Sequence, residues 1–167
     1  MAMTQKKYLK LMQFFNQSPV LLRIIRFAAK QLAIIIAAVY AVTLIMLMIW
    51  HDSRFIRCLI VPAAAFVFIT VIRKLINRPR PYDTLDYEPL VPCVRGKAQS
   101  FPSRHTGSAW IIALTLCTLN LWFGIPVLIA ALCISVGRVC TGMHYPSDVI
   151  AGFIVAVVAF FIGFFVL

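Results

Sequence analysis

TGSAWIIALTLCTLNLWFGIPVLIAALCISVG, residues 106–137, carries no formal charge. It is longer than the roughly 20 residues that cross a hydrocarbon core. The run therefore predicts two membrane spans and a turn. Gly124 and Pro126 are the breakers inside it, which places the spans at 105–122 and 125–140. The two form a hairpin, so the segments before and after them lie on one side of the membrane.

The rest of the chain extends this pattern. Gln31 to Trp50 is another uncharged run of span length. His51-Asp52-Ser53-Arg54 is a polar turn, and Phe55 to Ile76 is a second span, with Pro62 as a candidate kink. Arg73 and Lys74 fall in its last turn, within reach of the interface. Val149 to Leu167 is the last apolar run. Residues 4–30 mix Lys6, Lys7, Lys10, Arg23, Arg26 and Lys30 with Leu, Phe and Ile. That predicts one or two amphipathic helices on the membrane surface, broken near Ser18-Pro19. Helices are the economical way to satisfy backbone groups in lipid. The expected fold is all-α: a polytopic transmembrane helix bundle of about five spans plus an N-terminal amphipathic interfacial helix. Residues 1–30 are the basic N-terminal segment. Residues 31–167 are the transmembrane domain, with a polar loop at 77–104.

Composition agrees. The chain is 62% hydrophobic and 13% charged, more apolar surface than a soluble domain of 167 residues can hide. It has 16 Lys and Arg against 5 Asp and Glu. Nucleic acid is the reflex partner for net +11, but these cations sit beside apolar spans. Anionic headgroups and a phosphorylated substrate explain them better, so no nucleic-acid partner is expected. The five cysteines show no C-x-x-C pair, metal spacing or disulfide framework. No cofactor and no metal are expected.

From His105 onward the only charged residues are Arg138 and Asp148, and the only histidines are His105 and His144. Such groups in a membrane bundle mark function by default. As interfacial anchors, Arg138 alone would be ordinary, but the four together would not. His144 and Asp148 are four apart and would share one helical face if the last span begins there. The carboxylate would then fix one imidazole nitrogen and leave the other as an oriented nucleophile. Helix capping by Asp148 beside an idle histidine is the plainer alternative. Pro102-Ser103-Arg104-His105 opens a span, and a helix start is a natural phosphate site. Ser103 reads equally as an N-cap. His105 could donate a proton to a leaving alkoxide. Arg73, Arg78, Arg80, Arg104 and Arg138 converge on the same face. Guanidinium pairs bind phosphate oxygens, although Arg78 or Lys74 alone reads as well as a lipid-holding stripe.

Taken in order, these clusters resemble the signature of the type 2 phosphatidic acid phosphatase superfamily. Its first motif, a basic residue followed after six positions by Arg-Pro, matches Arg73 through Arg80-Pro81, with Arg in place of Lys. Its second, Pro-Ser-Gly-His, reads Pro102-Ser103-Arg104-His105, with Arg in place of Gly. Its third, Ser-Arg then His and Asp, reads Gly137-Arg138, His144 and Asp148, with Gly in place of Ser. The resemblance covers residues 73–148. Its usual members have six spans, so residues 4–30 would stand where the first span belongs.

The resemblance implies an integral membrane phosphatase of the cell membrane acting on lipid phosphate monoesters or diphosphates. Phosphatidic acid, phosphatidylglycerophosphate and undecaprenyl diphosphate are the candidate substrates. It implies that Arg73, Arg80, Ser103, Arg104 and Arg138 hold the phosphate. His144, oriented by Asp148, would attack phosphorus and form a phosphohistidine, with His105 protonating the leaving oxygen. The arginines would supply the positive charge that a metal supplies elsewhere. A non-catalytic anionic-lipid binder would keep the arginines but need neither histidine. A haem or metal held by His105 and His144 would lack further ligands. Lys and Arg counts near the span ends put the active face in the cytoplasm, whereas bacterial members of the family usually face outward.

Overall fold

The computed structural model describes residues 5–93, 95–96 and 99–166. It is all-helical. Helix α1 (Gln5–Asn16) is followed by α2 (Pro19–Arg26), a π-helical turn (Phe27–Gln31), α3 (Leu32–Ile49) and α4 (Phe55–Ile76). A short α5 (Pro81–Thr84) sits in the polar loop. The chain then forms α6 (Arg104–Leu119), α7 (Leu121–Cys140) and α8 (Pro146–Phe161), which ends in a second π turn.

Among the described residues, four helical stretches are long and apolar enough to cross a membrane: Pro19–Ile49, Phe55–Thr84, Leu121–Cys140 and Pro146–Val166. The helix α6, expected as a span, has 16 residues, about 24 Å at 1.5 Å per residue. It is the hub of the bundle and packs against α3, α4, α7 and α8. Ile111, Ala113 and Leu116 are buried at its centre. The apolar side chains left exposed on α3, α4 and α7 are those a lipid solvent would cover.

The N-terminal break falls where expected. Ser18 caps α2, with Pro19 at its first position. The following helix does not restart at residue 31: it runs from Pro19 to Ile49 through the π turn. The break between α6 and α7 differs from the expected one. It lies at Asn120, and Gly124 and Pro126 are inside α7. Asn120 has extended backbone, and its side chain accepts the Phe123 N–H at 3.1 Å. An N-cap with its own acceptor outcompetes a proline that removes only one helical bond.

Pro62 also lies within its helix, α4. It cannot donate to the carbonyl four residues back, that of Cys58. The phenol of Tyr40 donates to that carbonyl instead, so neither polar group is stranded in lipid.

Two glycines bring the site together. A Cβ on Gly152 of α8 would lie 2.6 Å from the Ser103 carbonyl, and one on Gly107 of α6 would lie 3.2 Å from the Gly152 carbonyl. Without side chains here, the starts of α6 and α8 meet. The Ser103 N–H then reaches the Asp148 carbonyl at 2.8 Å.

Candidate active site

The loop 77–104 and the turn between α7 and α8 do lie together. Leu90 N–H donates to the Thr141 carbonyl at 3.1 Å. Asn77, in the left-handed conformation that asparagine tolerates, ends α4 and turns the chain into the loop.

His144 is 1% exposed. It lies in the turn before α8, so it does not share a helical face with Asp148. Tyr145 is the N-cap of α8 and Pro146 its first residue. The turn is shaped from below: the N–H groups of Met143 and His144 both donate to the Arg138 carbonyl, at 3.1 and 3.2 Å. That brings the His144 Nδ1 to 3.5 Å from the Asp148 Oδ2. This is the outer limit of a hydrogen bond, a length common in enzymes without substrate. Nε2 has no hydrogen-bond partner among the described residues. Burial pushes the His144 imidazole down to about 4, helped by Arg80 and Arg138 and opposed by Asp148. The ring is therefore neutral, as a nucleophile must be.

Asp148 is fully buried. Oδ2 accepts the Tyr145 N–H at 3.0 Å and the Ser100 hydroxyl. Oδ1 accepts from Arg78 Nη1 at 2.9 Å. Capping and orienting the histidine are thus not alternatives, because the one carboxylate does both. Arg78 also donates to Ser147 Oγ at 3.0 Å and lies over the Tyr145 ring at 4.2 Å. It is a partner of the carboxylate. Ser100 is the other addition to the site. It is fully buried, and its N–H donates to the Arg78 carbonyl at 2.7 Å. Its position inside an irregular loop offers no pattern by which to find it.

The remaining arginines divide. Arg73 is buried, and its Nη1 donates to the carbonyls of Pro102 (2.8 Å) and Ser100 (3.5 Å), fastening the loop to α4. Arg138 is buried in the last turn of α7. Its Nε and that of Arg80 are buried donors without a protein partner among the described residues. Such donors are costly to leave unmade and suit an oxyanion. Both guanidiniums and His144 are close enough to act electrostatically on His105. The Ser103 hydroxyl makes no capping bond, and among the described residues it accepts only from the Thr106 hydroxyl, at 3.0 Å. His105 is exposed. Arg104 lies over the Phe66 ring at 5.4 Å. Gly137 has a steric role: a Cβ there would lie 3.1 Å from the Ala29 nitrogen of the π turn. A serine there would require that turn to give by a few tenths of an ångström.

Beside His105, a groove of about 540 Å³ runs between α3, α4 and α6. Lys30, Arg104 and His105 line it together with Ala33, Ile34, Phe66 and Ile112. Among the described residues, no group of three or more His, Cys, Asp or Glu is placed to hold a metal.

A model of the PAP2 superfamily matches residues 54–166, which include every one of these polar groups except Lys30. The chain belongs to the PAP2 superfamily. It is 30% identical over 133 residues to the undecaprenyl-diphosphatase BcrC of Bacillus subtilis strain 168, an alignment covering 76% of this chain and 68% of that one. Among solved structures, it is similar to Aquifex aeolicus LpxE, with TM-score 0.73 and 25% identity over 93% of both chains. It also shares the fold of a transmembrane PAP2-type phosphatidylglycerolphosphate phosphatase from Bacillus subtilis. There the TM-score is 0.57 and the identity 20%, over 93% of this chain and 90% of that one. The protein is a multi-pass integral membrane lipid phosphatase, and the enzymes of this superfamily work without a metal.

Proposed function

We propose that the protein hydrolyses a lipid diphosphate through a phosphohistidine on His144. The observation that carries this reading is the pairing of two features. One is a buried neutral imidazole backed by Asp148. The other is a pair of buried guanidinium Nε donors, on Arg80 and Arg138, that no described protein group occupies.

In this reading the phosphate is held by Arg80 and Arg138, with Arg73, Ser103 and Arg104 around them. The lone pair of His144 Nε2 attacks phosphorus while the bond to the leaving oxygen breaks. Desolvation and the nearby Arg138 hold the His105 imidazole down to about 3 before substrate binds. The negative charge of the bound phosphate offsets those cations, so that His105 takes up a proton and gives it to the leaving oxygen. Asp148 holds Nδ1 and offsets the charge that the ring gains. Water then attacks the phosphohistidine. His105 takes its proton, the P–N bond breaks, and the imidazole of His144 leaves neutral. The arginines spread the charge of the transferring group, which is the main task in phosphoryl transfer.

The groove supports a lipid substrate. Its wall is largely apolar, and it opens at His105, with Lys30, Arg104 and Ser108 also on its lining. The likeness to an undecaprenyl-diphosphatase favours a prenyl diphosphate over phosphatidic acid or phosphatidylglycerophosphate.

The test is phosphate release from these three lipids and from a soluble aryl phosphate, in detergent with EDTA present. The prenyl diphosphate is expected to give the highest kcat/KM. His144→Ala is expected to abolish turnover without loss of folding, and the wild type to trap a base-stable, acid-labile label from ³²P substrate. Full activity of His144→Ala would sink the mechanism.

A further inference from the structure

Helix α1 lies outside the segment matched by the family, and the chemistry above does not call for it. Yet its Tyr8 is fully buried, and the Tyr8 hydroxyl donates to the main-chain carbonyl of His144 at 3.1 Å. The Tyr8 ring stacks on Tyr87 of the polar loop at 5.2 Å and meets Tyr145 edge-on at 6.4 Å. Tyr87 in turn donates its hydroxyl to the Gly142 carbonyl at 2.8 Å. Two phenols from distant segments thus hold two carbonyls of the turn that carries His144.

The turn needs holding. Its own hydrogen bonds fix it from the α7 side, through the Arg138 carbonyl. On the α8 side Asp148 holds the Tyr145 N–H and the His144 ring, and the carbonyls of Gly142 and His144 are taken by the two tyrosines. The N-terminal segment is itself tied down, by Gln5 Nε2 on the Asp86 carbonyl (3.0 Å) and Arg26 Nε on the Leu90 carbonyl (2.7 Å).

We propose that Tyr8 is a positioning residue for the nucleophile, and that α1 is a strap whose phenol fixes the main chain of His144 for in-line attack on phosphorus. The proposal rests on His144 being the nucleophile. In-line transfer is sensitive to aim, and a displacement of about 1 Å in a reacting group costs on the order of 10²-fold. Burial raises the pKa of the Tyr8 phenol, so it remains a donor throughout the working pH range.

The test is Tyr8→Phe in the full chain in detergent, assayed beside His144→Ala. Phenylalanine keeps the stacking and removes only the hydroxyl. The expected result is a fall in kcat of about tenfold, the effect of one hydrogen bond and a slight misalignment. KM should stay within about twofold, and Tm within about 2 °C. Single-turnover formation of the phosphohistidine should slow by the same factor as kcat. A purely structural tyrosine would lower Tm and the yield of active enzyme while leaving kcat per active site unchanged. That result, or wild-type kcat in Tyr8→Phe, would overturn the proposal. If Tyr8→Phe does not fold, Tyr8→Trp keeps a large buried ring but moves the donor away from the His144 carbonyl. Wild-type kcat in that variant would equally overturn the proposal, and a fall of about tenfold would uphold it. If His144→Ala is inactive and Tyr8→Phe is normal, only the role of Tyr8 fails. If His144→Ala is active, the nucleophile assignment fails and the strap fails with it.

Discussion

Two Asp–Arg pairs stand at opposite ends of the bundle. Asp52–Arg54 closes the turn between α3 and α4 at 2.7 Å, and Asp148–Arg78 sits at the active face at 2.9 Å. Their chemistry and distance are nearly the same. Among the described residues, the Asp52 carboxylate takes its bonds from Arg54 alone, two residues away, and both side chains meet solvent. Asp148 is fully buried, and its oxygens gather Arg78 and Ser100 from the two ends of the loop 77–104 and His144 and Tyr145 from the turn before α8. The length of an ion pair therefore says little about its importance. What matters is how many segments one carboxylate joins, and what its loss would strand. Water replaces an exposed partner at little cost. A buried donor that loses its acceptor has no replacement.

The largest break in this comparison is expected at Asp148. Asp148→Asn keeps the shape but lets the amide present a donor to His144, which spoils the tautomer. A loss of roughly 10²–10⁴-fold in kcat is expected, on the scale of general acid–base assistance, together with a lower Tm from the stranded Arg78 and Ser100. Ser100→Ala removes one bond to the same carboxylate and should cost roughly 10-fold in kcat, the worth of one hydrogen bond to a charged group. Steady-state kinetics with a melt on each variant measures both. If Ser100→Ala lost as much as Asp148→Asn, the serine would be touching substrate.

These contrasts also show where sequence reading stops. His105, Arg138, His144 and Asp148 are legible because polar residues are rare among the apolar spans, so each has to be explained. The convergence of the loop and the turn follows from the hairpin of spans alone. The division of labour among the arginines is not legible. Arg78 and Arg80 differ by two positions in an irregular loop, and only the fold turns one to Asp148 and leaves the Nε of the other unpaired. Ser100 and Tyr8 bear on the site across 48 and 136 positions, with no periodic pattern to mark them. The α6–α7 break departs from the expected place for a local reason. Glycine and proline are the louder signals in the sequence, but Asn120 brings its own acceptor.

Protonation sharpens the contrast next. The folded pKa of His144 is about 4, below the roughly 6.5 of a free imidazole. Between those values the unfolded chain binds a proton that the folded protein does not. Stability therefore falls as pH drops from about 6.5 towards 4, and this contribution is fully present above 6.5. NMR of ¹³C-labelled histidine, assigned with His144→Ala, should show the His144 ring titrating near 4. A midpoint near 6.5 would mean that water reaches the ring, and the buried nucleophile would have to be abandoned.

The smallest effect is expected at the other pair. Arg54 holds the Asp52 carboxyl down to about 2 through its side-chain hydrogen bonds. By linkage, any stability this adds is present above the ordinary carboxyl pKa and is lost as pH falls towards 2. Two features shrink it. Solvent screens the pair, and partners two residues apart still meet in the unfolded chain, which cancels part of the gain. Asp52→Asn should thus leave kcat within about twofold and Tm within about 2 °C at neutral pH. Raising salt should leave the difference between wild type and variant small. A drop in activity like that of Asp148→Asn would show that the far turn is coupled to the active face through α4. In that case, counting the segments each carboxylate joins would be the wrong way to rank the two pairs.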